Sequence, residues 1–191
     1  QDDIKNVTTS LKSKYITQGP NVVLFEDKIK KIFNAKGAAV VSSGTAALHL
    51  SGIALNWRPN DIVLTVPLTF IATANAVLYS GAKLEFIDID AKTLNIDLKL
   101  LEKKIIDLRK KKKKIKSLIA VDYAGNPCEW EDIKYLSKKY GFSVINDNCH
   151  AIGSKYKNLI GYATKYADLV THSYHAVKNI TTGEGGSVLS L

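Results

Sequence analysis

Ala39-Val40-Val41-Ser42-Ser43-Gly44-Thr45-Ala46-Ala47-Leu48-His49-Leu50 holds a strand, a turn and the start of a helix in one short run. Ala39–Val41 is apolar and largely β-branched, the small polar Ser42–Thr45 closes it, and Ala46–Leu50 opens a helix at that turn. The same alternation extends outward. Upstream, Val22, Phe25, Ile29, Ile32 and Phe33 recur on one helical face over residues 21–33. Downstream come a strand at Ile62–Val66 ended by Pro67, an Ala-rich helix from Thr69 to Tyr79 stopped by Gly81, and a strand at Leu84–Ile87. An amphipathic helix over 97–108 turns Leu98, Leu101, Ile105 and Leu108 inward. Then follow a strand at Leu118–Val121, a helix from Glu129 to Tyr140 stopped by Gly141, and strands at Ser143–Ile145 and Ala167–Thr171. Strands alternating with helices predict an α/β fold: three layers, with a mostly parallel sheet covered by helices. Ligands in such sheets sit beyond the carboxyl ends of the strands. That places Gly44-Thr45, Pro67–Phe70, Tyr123–Asn126 and Asp147 along one edge.

Composition narrows the class. The 191 residues are 46% apolar and 24% charged, enough for one α/β domain with a real core. No run of about 18 apolar residues occurs, so no membrane partner is expected. No signal peptide is visible, and Cys128 and Cys149 are too few for a disulfide framework, so a cytoplasmic setting is expected. The net charge of +9 owes much to the unbroken basic run Arg109–Lys114. A solvated helix end explains that run, since lysines are favoured there by the helix dipole. No aromatics are interleaved with these charges, so no nucleic-acid partner is expected. The chain has no methionine, and its last residues, Ser187–Leu191, read as a strand that stops without a neighbour. Part of a longer protein is therefore the expectation.

The chemistry concentrates in Ser173-Tyr174-His175-Ala176-Val177-Lys178-Asn179-Ile180-Thr181-Thr182-Gly183-Glu184-Gly185-Gly186. Lys178 follows an apolar stretch and precedes a Gly-rich turn, and Asp147 lies upstream at the end of a short apolar strand. A lysine that forms a Schiff base and an aspartate that holds a pyridinium nitrogen are the minimum kit for pyridoxal phosphate chemistry. Ser43-Gly44-Thr45 opens a helix whose first amides can face an anion, or is an ordinary N-cap. Ser173 is placed to reach a phosphate. Phe70 stacks on a cofactor ring or belongs to the core. His150 bonds a phenolic oxygen or is a loop histidine, and Asp147 by itself could be a cap. Glu184 is followed by two glycines that let a backbone pack beside the lysine turn. His172-x-x-His175 and Cys149-His150 are the only metal-like spacings, and no second clean pair completes them, so no metal is expected.

Thr17-Gln18-Gly19-Pro20, Ser43-Gly44-Thr45-Ala46-Ala47-Leu48, Thr69-Phe70-Ile71-Ala72-Thr73, Asp147-x-x-His150-Ala151 and Ser173-x-x-x-x-Lys178 occur in this order. In series they resemble the DegT/DnrJ/EryC1/StrS sugar-nucleotide aminotransferases, fold-type I pyridoxal phosphate enzymes. The resemblance spans the whole chain but about half of a family member. It implies that residues 1–191 are an N-terminal arm and the major part of the large, cofactor-binding domain, with a small C-terminal domain missing. It gives Lys178 the covalent link to pyridoxal 5'-phosphate and the proton shuttle, and Asp147 the pyridinium contact. Gly44, Thr45 and Ser173 would hold phosphate, Phe70 would stack, and His150 would lie near the ring oxygen. It also implies a homodimer that builds each site from both subunits. Pro67–Ala76, Val121–Asn126 and Ile180–Gly186 look most like one branch, that of pseudaminic acid synthesis. Its members move an amino group from glutamate to C4 of a UDP-linked 4-keto-6-deoxy-N-acetylhexosamine. Another nucleotide-linked keto sugar, or a cofactor-binding relative without catalysis, would satisfy the same motifs. A basic nucleic-acid-binding module is the rival from another class.

The chain departs from the family pattern in places. Asn146 and Asn148 stand where the family usually has an acid and a small residue. His172 and Tyr174 replace a usual pair of Phe residues. Family dehydratases carry His in place of the lysine, so Lys178 argues for amino transfer.

Overall fold

Alternating side chains on the strands build two cores, one on each face of a single sheet. The computed structural model describes residues 1–191. The helices are α1 (Asp2–Leu11), α2 (Pro20–Phe33), α3 (Gly44–Ala54), α4 (Ile71–Tyr79), α5 (Leu98–Lys110), α6 (Trp130–Tyr140) and α7 (Ala163–Tyr166). The strands are β1 (Gly37–Val41), β2 (Ile62–Thr65), β3 (Lys83–Phe86), β4 (Ile115–Val121), β5 (Ser143–Asp147), β6 (Lys155–Tyr156), β7 (Leu159–Ile160), β8 (Leu169–Ser173) and β9 (Gly186–Ser190). Seven strands form one sheet in the order β1-β9-β8-β5-β4-β2-β3, and β6 and β7 make a separate hairpin. The sheet is parallel except for β9, which runs antiparallel to both neighbours.

On one face, Leu64, Leu118, Ala120, Val144, Val170 and Leu189 pack against α2, α5, α6 and α7. Their strand neighbours Val63, Ile119, Ile145 and Leu169 point the other way, onto Leu48 of α3 and Ala72, Ala76 and Val77 of α4. Truncating a side chain such as Leu101 or Ile105, both wholly buried, would cost about 2–5 kcal/mol. The crossovers β2–α4–β3 and β4–α6–β5 leave in opposite directions along the sheet and on opposite faces. A crevice therefore opens at the carboxyl ends of β2 and β4, where the strand order reverses.

Several expectations shift. The final strand does not lack neighbours: Ser190 of β9 pairs with Gly37 on one side and Leu169 on the other. β5 runs on through Asn146 and Asp147, opposite Ala120 and Val121 of β4; their polarity hid the last two strand residues. β8 sits two residues later than its apolar run suggested and ends at Ser173. α4 begins at Ile71, which leaves Thr69 and Phe70 in the turn. Ile32, expected inward, is 61% exposed, while Ile29 and Phe33 carry that helix's buried contacts. α1, the β6–β7 hairpin and α7 are short or marginal in pattern and were not legible in the sequence. The basic run Arg109–Lys114 ends α5 and leads into the amino end of β4, the sheet edge opposite the crevice. No helix is long and apolar enough to cross a membrane.

Candidate active site

The carboxyl-end crevice is a cavity of about 350 Å³, within the range of small-molecule sites. Gly44, Thr45, Phe70, Asp147, His150, Ser173 and Lys178 all line it. They come from the turns after β1, β2, β5 and β8, so the sheet, and no single loop, brings them together.

The turn after β1 is held by Ser43, whose Oγ accepts a hydrogen bond from Ala46 N–H at 3.1 Å. That cap leaves the first amides of α3 at a helix start, where they have no partner within the helix. Gly44 is needed there because a Cβ at this position would lie 2.8 Å from Ser173 Cβ and 3.3 Å from Cys149 Sγ. Gly186 serves the same turn from below, since a Cβ on it would collide with the Ser43 carbonyl. The two glycines after Glu184 thus divide their work. Gly185 packs against Thr182 and Tyr174 beside the lysine turn, and Gly186 lets β9 pass under the start of α3.

Asp147 ends β5 and is 6% exposed. Thr73 Oγ1 donates to its Oδ2 at 2.8 Å, and Cys149 N–H donates to Oδ1 at 3.3 Å. Thr69 Oγ1 lies 2.8 Å from Thr73 Oγ1. With the Thr73 proton spent on the carboxylate, Thr69 is the donor of that pair. Asp147 is therefore no helix cap: its carboxylate is held from two sides and still has acceptor capacity toward the cavity. Thr69 and Thr73 were quoted in the sequence motif without a role. For Thr73 the signal is a hydroxyl in an otherwise apolar, Ala-rich helix, which demands a polar partner once buried; Thr69 lies in the turn before that helix.

His150 is half-buried on the same wall. Burial lowers its pKa, the positive charge of Lys178 lowers it further, and Asp147 opposes both. Cys149 beside it is a free thiol whose pKa burial raises well above the ordinary range, so it stays protonated. Lys178 follows a turn closed by its N–H on the His175 carbonyl at 2.9 Å. His175 and Glu184 also line the cavity, with His175 Nε2 3.6 Å from Glu184 Oε1. Phe70 is 68% exposed at the cavity edge, a placement that excludes its reading as a core residue. The arrangement offers an amine, a buried carboxylate, a helix start beside a serine hydroxyl, and an exposed aromatic side chain around one space. A pyridine ring bearing a carbonyl and a phosphate matches that donor set.

Comparison with known proteins agrees. Residues 1–190 match the DegT/DnrJ/EryC1/StrS aminotransferase family. The UDP-4-amino-4,6-dideoxy-N-acetyl-beta-L-altrosamine transaminase of Campylobacter jejuni subsp. jejuni serotype O:2 is 46% identical over the whole of this chain and 49% of its own length. Helicobacter pylori PseC, an aminotransferase involved in the biosynthesis of pseudoaminic acid, superposes with a TM-score of 0.88 at 36% identity, over 100% of this chain and 49% of that one. Spr1654 from Streptococcus pneumoniae, in its PLP form, superposes with a TM-score of 0.87 at 30% identity, over 98% and 50%. The chain spans about half the length of the curated relatives it matches. It belongs to the DegT/DnrJ/EryC1/StrS aminotransferase family.

Proposed function

We propose that the protein is a pyridoxal phosphate-dependent sugar-nucleotide aminotransferase. In this reading it moves an amino group from glutamate to C4 of a UDP-linked 4-keto-6-deoxy-N-acetylhexosamine. The observation that carries it is the convergence of Lys178, Asp147, Ser173 and the Gly44–Thr45 helix start on one cavity. Pyridoxal phosphate, when bound, supplies an electron-accepting ring that makes a proton next to the amino nitrogen removable.

The chain's own groups do the rest. The Lys178 amine would hold the cofactor's carbonyl carbon and would move a proton at the substrate's reacting carbon. The Asp147 carboxylate would hold the cofactor's ring nitrogen, and Thr73 and the Cys149 amide fix the orientation of that carboxylate. Amides at the start of α3 and the Ser173 hydroxyl would take the phosphate, whose charge the helix dipole favours. Phe70, exposed at the cavity edge, would stack on the ring. His150, whose pKa burial lowers, would lie near the ring oxygen.

The sugar assignment is supported by the runs Val121–Asn126 and Ile180–Gly186 and by the likeness to the altrosamine transaminase. A homodimer belongs to the same proposal. It is supported by Leu50 and Ile53 on α3 and Ile71 and Leu78 on α4, all large apolar side chains left exposed on one face of the sheet. The test is amino transfer from glutamate to a panel of nucleotide-linked keto sugars, followed by mass spectrometry and NMR of the products. Amination at C4 of the UDP-linked 4-keto-6-deoxy-N-acetylhexosamine is expected. Preference for another sugar would overturn the substrate assignment, and no transfer to any of them would overturn the reaction.

A further inference from the structure

Behind the cavity wall lies a line of polar side chains that the proposed chemistry does not use. Its members include Asn146, Asn148, His172 and Tyr174, the positions at which this chain leaves the pattern it otherwise resembles. All four are essentially without solvent exposure, as are Ser187 and Asp122. Along β5 and β8 they alternate with the cavity residues. Asp147 lies between Asn146 and Asn148, and Ser173 between His172 and Tyr174.

Their hydrogen bonds join end to end. Tyr174 OH is 2.7 Å from Ser187 Oγ, and Ser187 Oγ is 3.2 Å from His172 Nδ1. His172 Nε2 is 3.2 Å from Asn148 Oδ1, and Asn148 Nδ2 is 2.9 Å from Asp122 Oδ2. Asp122 also receives Tyr162 OH at 2.6 Å, Asn146 Nδ2 at 3.0 Å, Trp130 Nε1 at 3.1 Å and Cys128 N–H at 2.9 Å. Five donors converge on one carboxyl group; burial raises its pKa and these hydrogen bonds oppose that rise, and in its ionised form, which all five donors favour, it acts only as an acceptor. That fixes the orientation of every group behind it. Asn148 turns its NH2 to Asp122, so its oxygen must accept from His172 Nε2–H. His172 Nδ1 is then the acceptor of Ser187 O–H, and Ser187 accepts from Tyr174 O–H.

We propose that His172 and Asn148 are positioning residues in a single directional chain, Tyr174–Ser187–His172–Asn148–Asp122, that ties β9, β8, β5 and β4 together and sets Asp147 against Ser173. The buried charge at the end of this chain comes from Asp122, the residue after β4, and the Asn146 amide donates to it. The asparagines and the histidine are thus parts of one network. The inference rests on the reading of Asp147 and Ser173 as cofactor-holding groups.

Removing one partner of a buried hydrogen bond strands the other, whereas removing both is far less costly. The two family-like changes His172→Phe and Asn148→Ala should therefore be strongly coupled. Each alone is expected to lower the melting temperature by several degrees and to weaken pyridoxal phosphate binding about tenfold. The double variant is expected to lose clearly less than the sum of the two, in both readouts. Nitrogen-15 NMR of the purified protein is expected to show His172 protonated at Nε2 only, unchanged between about pH 5 and 8. Additive losses, the opposite tautomer, or single variants that bind pyridoxal phosphate like the parent would overturn the proposal. Failure of the parent to bind the cofactor at all would overturn the site reading and the positioning role with it. The tautomer and the melting data would still decide the hydrogen-bond chain.

Discussion

Asp147 shows how one side chain acquires a role from what surrounds it. A buried carboxylate needs hydrogen-bond donors to hold it in place. Here Thr73 and the Cys149 amide supply them, leaving the carboxylate both fixed and able to accept from a ligand. Asp147→Asn keeps the volume and can keep the Thr73 bond, but its neutral amide does not stabilise a protonated ring nitrogen. We expect that variant to retain pyridoxal phosphate while its rate of proton removal, followed in single turnovers with glutamate, falls by at least about a hundredfold. Unchanged single-turnover rates would remove Asp147 from this role. The sequence exposed Asp147 and Lys178 because each sits at a break between an apolar run and a polar turn. Thr73 was hidden, because its partner is distant in the chain and only the sheet brings them together.

At the scale of elements, legibility followed pattern length. The helices and the central strands carry periodic apolar side chains, and their order was readable. The ends of β5 and β8 were not, because polar residues continue both strands into the buried network. That network predicts a pH dependence. Burial pushes the pKa of His172 from its ordinary value of 6.5 down to about 3. The groups around the ring are Asn148 and Ser187 on its nitrogens, Phe33 of α2 with centroids 4.6 Å apart, and Tyr174 at 6.4 Å. None of these is charged, and Asp122 lies beyond Asn148. In the unfolded chain the histidine takes a proton below its ordinary value, while in the folded protein it does not. Its contribution is therefore intact above about pH 6.5 and is lost as pH falls toward about 3, at a slope approaching about 1.4 kcal/mol per pH unit. Denaturant melts across that window should show His172→Phe losing less stability on acidification than the parent. Parallel profiles would mean that His172 is not held neutral by the fold.

The whole molecule is what makes one lysine different from the others. Gly44, Phe70, Asp147, Ser173 and Lys178 are distant in sequence and meet only because the strand order reverses between β2 and β4. Gly186, on the one antiparallel strand, must pass beneath the start of α3 for that meeting to occur. The motif series foretold which residues meet, and the structure adds why: four turns share one sheet edge, two glycines permit close approach, and a buried chain braces the edge from behind. The most direct test is to mix the protein with pyridoxal phosphate, reduce with borohydride, and map the modified peptide by mass spectrometry. With 27 lysines and arginines in the chain, non-specific labelling would spread over the basic surface. The account predicts one stoichiometric adduct on Lys178, abolished in Lys178→Ala with the fold retained. Scattered adducts, or full labelling that survives that substitution, would contradict it.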